Sequence, residues 1–132
     1  MQGAELVGVA DVDERTSSEV AAEYNNTEAF TDYERLLKNN LDAVSIAVPT
    51  TLHKDIALKA ANYGVHMLVE KPIAKSLSSA DAIIDSARRE NLKLMVGHIE
   101  RFNPAILKLK ELISAGELGE IISISCRRVV DC

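Results

Sequence analysis

Cysteine is scarce in this sequence. Only Cys126 and Cys132 occur among its 132 residues, and Cys132 is the last of them. Two cysteines in these positions form neither a disulfide framework nor a zinc motif, and a chain without disulfides is typical of a reducing compartment. No apolar stretch approaches the roughly 20 residues needed to span a bilayer, and no signal-peptide pattern opens the chain. We therefore expect a cytoplasmic protein without a membrane partner.

Positive charge is also limited. The 20 acidic residues outnumber the 15 lysines and arginines, so the net charge is -5 and the isoelectric point about 5.2. The longest basic runs are pairs, Arg88-Arg89 and Arg127-Arg128. Proteins that bind nucleic acid nonspecifically present a basic face to the phosphates. The composition therefore predicts no nucleic-acid partner.

Several motifs that carry metal or nucleophilic chemistry are absent. His98-Ile99-Glu100 matches the H-x-E of zinc deaminases, but the P-C-x-x-C that completes their signature does not occur. No G-x-S-x-G nucleophile motif is present, and the three histidines lack metal-ligand spacing. We predict no metal site.

Short apolar strands alternate with helices along the chain. Strands are predicted at Glu5–Asp11, Glu28–Asp32, Asp42–Val48, His66–Glu70, Lys93–His98 and Glu120–Val129. Helices are predicted after an Asp13 cap, over Tyr33–Asn39, from a Thr51 cap to a stop at Gly64, from a Ser78/Asp81 capping box to Asn91, and from Pro104. Most of the strands are apolar on both faces. This pattern is typical of an α/β fold in which helices cover both sides of a parallel sheet.

Polar residues follow three of the predicted strands, at the edge where ligands bind such sheets. Asp11 ends the first strand, and its carboxylate either binds ribose hydroxyls or caps the next helix. Thr50 and Thr51 offer hydroxyls and helix-start amides after the third strand. Glu70 and Lys71 end the fourth strand, where the lysine either orients a substrate hydroxyl or is a surface residue in a turn.

These segments together resemble a known family. ELVGVADVD, AFTDYERLL, AVPTTLH, GVHMLVEKPIA and VGHIERFNPA occur here in the same order as in the Gfo/Idh/MocA oxidoreductases. The resemblance covers nearly the whole chain and is greatest to the branch that contains UDP-N-acetylglucosamine 3-dehydrogenase. It implies a Rossmann domain followed by an α+β substrate domain. It also implies hydride transfer between NAD(P) and a hydroxyl of a sugar, a cyclitol or a nucleotide sugar.

The resemblance assigns cofactor-binding residues to the first half of the chain. Asp11 would bind the adenosine ribose, and an acid at this position implies NAD over NADP because it repels a 2′-phosphate. Pro49, Thr50 and His53 would line the cofactor near its ribose and nicotinamide. We expect NAD as the cofactor, with NADP as the alternative.

The same resemblance also implies the chemistry at the end of the predicted strand His66–Glu70. Glu70 and Lys71 would lie beside the nicotinamide ribose, and Lys71 would also touch the reacting hydroxyl as the catalytic residue. The Lys71-Pro72 bond is often cis in this family. Arg101 would approach the nicotinamide or the substrate.

The sequence departs from the family pattern at both ends. It contains no G-x-G, so the Gly-rich loop that cradles the pyrophosphate is missing, together with the strand before it. We therefore predict a Rossmann-like doubly wound parallel sheet that lacks its first strand. Residues 1–119 would form a partial NAD(P)-binding domain, and residues 120–132 the first strand of a truncated substrate domain.

Loss of the first strand would leave a hole between Val7 and Val44, because that strand is central in the 3-2-1-4-5-6 order. Glu5–Asp11 would pair directly with Asp42–Val48, a strand of another copy would fill the gap, or the first segment would pack loosely. Exposed edges favour a homo-oligomer. Two functions follow: a sugar or nucleotide-sugar oxidoreductase, or a truncated, non-catalytic α/β module that binds nucleotide weakly or not at all.

Overall fold

The computed structural model describes residues 3–127, which divide into two compact units with the boundary between Gly97 and His98. The first unit alternates strands and helices as predicted. Its elements are β1 (Gly8–Ala10), α1 (Glu14–Ala22), β2 (Glu28–Phe30), α2 (Tyr33–Leu37), β3 (Ala43–Ile46), α3 (Thr50–Asn62), β4 (His66–Val69), α4 (Leu77–Arg89) and β5 (Leu94–Val96). The second unit contains a 3₁₀ turn (Ile99–Phe102) and α5 (Pro104–Ser114).

The strands form two parallel sheets, one of β1 and β2 and one ordered β3-β4-β5. Gly8 pairs with Glu28 in the first sheet, and Val44 pairs with Met67 in the second. The α/β class and the parallel pairing predicted from the sequence are confirmed. β1 pairs with β2 alone, so the predicted direct pairing between the strands here named β1 and β3 is not formed. The other two ways of closing the gap stay predictions.

Side chains alternate between the two faces of the β3-β4-β5 sheet. One face buries Ile46, Met67 and Val69, and they form one core with residues of α3 and α4. On the opposite face, Leu68 is 40% exposed and Met95 46% exposed. Among the described residues, α3 and α4 both pack on the first of these faces. Successive right-handed crossovers in one direction place their helices on the same face, which explains why α3 and α4 lie together.

Helix α2 connects the two sheets of the first unit. Its Leu37 belongs to the same buried cluster as Ile46 of β3 and Ala57 of α3. Glu34 of α2 also forms an ion pair with Lys59 of α3, at 3.0 Å between carboxylate and ammonium. The small sheet is thus held to the larger one through helix packing.

Two predicted helix starts lie a few residues too late in the chain. Pro49, not Thr51, precedes α3, and Thr50 is already helical. The proline side chain has no oxygen that could accept an amide proton of the first turn, so the helix begins without a side-chain cap. Ser76, not Ser78, caps α4, because its extended backbone lets the hydroxyl accept the amide proton of the third helical residue.

The other helix ends agree with the sequence. Asp13 caps α1 by accepting the Arg15 amide proton. Gly64 and Asn91 follow α3 and α4 with φ of 73° and 54°, the left-handed conformation that ends helices. Pro104 occupies the first turn of α5.

The predicted strand Glu120–Val129 is not formed over its described part. Residues 120–127 have no regular secondary structure, and residues 128 and 129 lie outside the described residues. A strand exists only where its backbone groups pair with another strand, and the described part of the second unit contains no other strand. The predicted domain boundary at residue 119 stays a prediction.

Candidate functional site

The carboxyl ends of β3, β4 and β5 meet at one edge of their sheet, because the three strands are parallel. Beyond the ends of β4 and β5, one further backbone hydrogen bond continues the pairing with the neighbouring strand. The Glu70 amide donates to the Ile46 carbonyl at 2.9 Å, and the Gly97 amide donates to the Val69 carbonyl at 2.8 Å. Glu70 and Gly97 are thus held at this edge by the main chain.

The Glu70 side chain folds back over the end of β5. A Cβ added to Gly97 would lie 3.1 Å from Cδ and Oε1 of Glu70, which is closer than ordinary contact. The other carboxylate oxygen, Oε2, accepts the Lys71 amide proton at 3.0 Å. Gly97 therefore provides the space that this carboxylate occupies. The sequence reasoning missed Gly97, although a glycine directly after an apolar strand is a signal of close approach.

Lys71 projects from the loop after β4. Its side chain is exposed, and within residues 3–127 its ammonium forms no ion pair. The Lys71-Pro72 peptide bond is cis, as the family resemblance led us to expect. An ammonium that no protein carboxylate occupies is available to a ligand. A surface lysine in a turn has the same appearance, so the catalytic role stays a prediction.

His53 does not lie on the open side of this edge. The residue is 1% exposed, and both ring nitrogens face main-chain carbonyls. Nε2 lies 2.8 Å from the Val48 oxygen, while Nδ1 lies 3.0 Å from the Pro72 oxygen and 3.3 Å from the Ile73 oxygen. Backbone carbonyls thus surround the ring, and the expectation that His53 lines the cofactor stays a prediction.

The first turn of α3 remains open. Pro49 is exposed, and no side chain accepts a hydrogen bond from the helix start. Uncapped amides carry partial positive charge and favour an anion or another acceptor. A shallow cavity at this end is lined by Thr50, Thr51, Lys54 and Lys75, among others. Pro49 and Thr50 thus occupy positions from which a ligand could be bound.

Asp11 follows β1, in the smaller sheet. Its Oδ1 accepts the Asp13 amide proton at 2.9 Å, and its own amide donates to the Phe30 carbonyl at 3.1 Å. Among the described residues, Oδ2 has no hydrogen bond. Asp13 caps α1, so the predicted cap by one of these two acids is formed by Asp13, and the ribose contact of Asp11 stays a prediction. The next residue, Val12, is 94% exposed.

Arg101 belongs to the second unit. It lies on the 3₁₀ turn with an exposed side chain, and its amide donates to the His98 carbonyl at 3.0 Å. Its predicted approach to nicotinamide or substrate stays a prediction. Within residues 3–127 no group of three His, Cys, Asp or Glu side chains could hold a metal ion. No helix in this range has the length and apolar character needed to cross a bilayer.

Comparison with known proteins identifies the family. The GFO_IDH_MocA model, described as an oxidoreductase family with an NAD-binding Rossmann fold, matches residues 1–98. The chain belongs to the Gfo/Idh/MocA family. The predicted Rossmann-like fold and the resemblance drawn from the sequence are both confirmed.

Two similar proteins are named for a nucleotide sugar and a sugar. UDP-N-acetylglucosamine 3-dehydrogenase of Acidithiobacillus ferrooxidans is 42% identical over 107 residues, 81% of this chain and 34% of that protein. D-xylose 1-dehydrogenase (NADP(+)) 2 of Haloferax volcanii is 37% identical over 92% of this chain and 37% of that protein. The chain spans little more than a third of the length of such curated relatives.

A solved dehydrogenase structure has the same fold as this chain. Scyllo-inositol dehydrogenase from Lactobacillus casei, with bound NAD(H) and scyllo-inositol, superposes with a TM-score of 0.85 at 26% identity. The match covers 91% of this chain and 36% of that chain. Members of this family thus include one named for NADP and one with NAD(H) bound.

Proposed function

We propose that this chain is the cofactor-binding part of an NAD(P)-dependent oxidoreductase that acts on a sugar or nucleotide sugar. The observation that supports it best is the arrangement after β4. Glu70 is held over Gly97, and the ammonium of Lys71 stands exposed beside it without an ion-pair partner among the described residues. The cofactor would supply the acceptor or donor of hydride at this edge of the sheet.

The residues at the strand ends fit much of such a cofactor. Oδ2 of Asp11 is free to accept hydrogen bonds from ribose hydroxyls, and its negative charge would repel a 2′-phosphate, which favours NAD. The exposed Val12 offers an apolar surface beside it. Pro49 and Thr50 would face the nicotinamide side from the open end of α3. The sequence has no G-x-G turn for the pyrophosphate, so the affinity of this chain alone is expected to be low.

Lys71 carries the proposed chemistry. Its ammonium would donate a hydrogen bond to the oxygen of the reacting hydroxyl and stabilise the negative charge that develops as the hydroxyl loses its proton. Glu70, fixed by its contacts with Gly97 and the Lys71 amide, would bind the nicotinamide ribose. Arg101 would bind nicotinamide or substrate from the second unit.

A titration with NADH tests the cofactor proposal. Binding followed by nicotinamide fluorescence should saturate and should weaken at least tenfold in Asp11→Ala, about 1.4 kcal/mol or more. Asp85→Ala is the control, because it removes an exposed carboxylate from α4. Wild-type protein that shows no binding up to millimolar NADH would contradict the proposal for this chain.

The second candidate function is a non-catalytic α/β module that associates with itself. The observation that favours it is the open face of the β3-β4-β5 sheet, where Leu68 and Met95 are about half exposed. Sedimentation equilibrium should then show a dimer or larger assembly that Leu68→Asp disrupts. A monomer at all accessible concentrations would exclude this candidate. Either function is proposed for a cytoplasmic setting, which the free and exposed Cys126 supports.

A further inference from the structure

His53 is buried between two segments that both belong to the candidate site. On one side is the main chain that runs from β3 into α3, with the Val48 carbonyl 2.8 Å from Nε2. On the other side is the loop after Lys71, with the Pro72 carbonyl 3.0 Å from Nδ1. We propose that His53 is a positioning residue that ties these two segments together and thereby sets where Lys71 stands.

The chemistry of the contacts explains why the residue is a histidine. Every polar atom recorded around the ring is a carbonyl oxygen, and such an oxygen can only accept a hydrogen bond. A neutral imidazole donates from one nitrogen, and the doubly protonated ring donates from both. No aliphatic side chain of similar size could donate to either segment. Since both nitrogens lie within 3.0 Å of main-chain carbonyl oxygens and the ring is 1% exposed, His53 acts on the site through the backbone.

Hydrogen bonds on both sides of Lys71 in the chain determine how this residue is held. The Glu70 amide is bonded to Ile46 of β3, and the Lys71 amide is bonded to the Glu70 carboxylate. His53 holds the carbonyl of the residue immediately after Lys71. Lys71 is therefore anchored on both sides through its neighbours, while its own side chain remains exposed. Without His53, the downstream hydrogen bond would be lost, and only the packing of Ile73 and Ala74 against the core would hold that side.

Backbone relaxation by NMR tests this role without any nucleotide, so its result is independent of the NADH titration. In the wild type, the order parameters of the Lys71 and Ile73 amides should be near 0.85, the value of a rigid backbone. In His53→Ala they should fall below about 0.6, the flexible range, while the β4 amides keep their values. His53→Gln, which retains amide donors, should recover part of the order.

The matched control is His66→Ala. That histidine accepts the Lys93 amide proton at 3.2 Å and has no recorded bond to the loop after β4, so the Lys71 order parameter should not change. A residue that only stabilises the fold would lower order throughout the unit or leave it unchanged everywhere. Unchanged order at Lys71 in His53→Ala, or an equal loss in β4, would overturn the proposal.

A measurement on the wild type keeps the proposal testable if His53→Ala does not fold. A ring N–H of His53 should exchange slowly with water and should show the nitrogen resonance of a hydrogen-bonded donor. The exposed His98 provides the comparison in the same spectrum, with fast exchange. A His53 ring that exchanges as fast as His98 would show that it does not hold the two segments.

Discussion

Replacing Gly97 with alanine adds one methyl group directly against the Glu70 carboxylate. The new Cβ would lie 3.1 Å from Cδ and Oε1 and 3.2 Å from Oε2. Carbon atoms in optimal contact are about 3.5–4.0 Å apart, so the carboxylate must move by about half an ångström. Because the neighbour is the end of a side chain with a broad terminal torsion, we expect it to move at little energetic cost.

The expected change in stability is small for this reason. Alanine reduces the entropy of the unfolded chain, which stabilises by about 0.4–1 kcal/mol where the native backbone tolerates it. Displacement of Glu70 offsets that gain. We predict that the free energy of unfolding changes by less than about 1 kcal/mol, while the NMR signal of the Lys71 amide shifts as its bond to Oε2 is disturbed.

Gly8→Ala provides the internal comparison. There the added Cβ would lie 2.5 Å from Cδ1 of Leu36 and 2.9 Å from Cε2 of Phe30. Leu36 is 7% exposed, so it has little freedom to withdraw. Overpacking of this kind costs about 1–3 kcal/mol. Urea unfolding of the two variants should therefore give clearly different midpoints.

A double-mutant cycle decides whether Glu70 is the cause. In a Glu70→Ala background the carboxylate is gone, so Gly97→Ala should stabilise by about 0.4–1 kcal/mol, and the Lys71 amide should no longer respond to the second substitution. The reasoning is refuted if Gly97→Ala alone destabilises as strongly as Gly8→Ala. It is also refuted if the cycle shows no coupling between the two positions.

Three further predictions concern stability. Ser76→Ala removes the cap of α4 and should lower the free energy of unfolding by about 1 kcal/mol, read from urea unfolding; no change would mean that the hydroxyl does not cap the helix. Ile83→Ala, at a side chain 1% exposed, should cost about 2–5 kcal/mol in the same assay, and a loss below that range would indicate a loosely packed core. Burial raises the pKa of Tyr33 above 10.0, and the hydrogen bond to Glu34 raises the pKa of Lys59 above 10.5. Both groups hold their protons more strongly when folded, so stability should fall as pH rises through these values; Tyr33→Phe should weaken that fall, and an identical alkaline profile in the variant would contradict the assignment.

The order of elements could be predicted from local pattern. Five of the six predicted strands form within a few residues of their predicted limits, because burial on a pleated sheet requires that composition wherever the run lies. Gly64 and Asn91 end helices for an equally local reason, the left-handed backbone they tolerate. The exact caps were missed at Pro49 and Ser76, since several neighbouring Ser, Thr and Pro residues suited the helix start equally well.

The resemblance of the strand-end segments was also sufficient to name the family, because those segments combine particular residue types in a fixed order. It placed Asp11, Glu70 and Lys71 at strand ends, where the structure has them. It could not show that Glu70 folds over Gly97, because this contact joins positions 27 residues apart in the chain (97 − 70).

The sequence by itself determined the fold class, the parallel strands and the family, since these depend on hydrophobic period, turn residues and motif order. Only the tertiary structure decided what His53 does and which face of the larger sheet stays open. A histidine near a helix start can face a ligand or the core, and the residues around it in the sequence do not distinguish the two cases. The choice depends on the Val48 carbonyl just before the helix and on the Pro72 and Ile73 carbonyls, which the fold brings to the ring from the loop after Lys71. The open face depends on crossover handedness, which places α3 and α4 together on the other side.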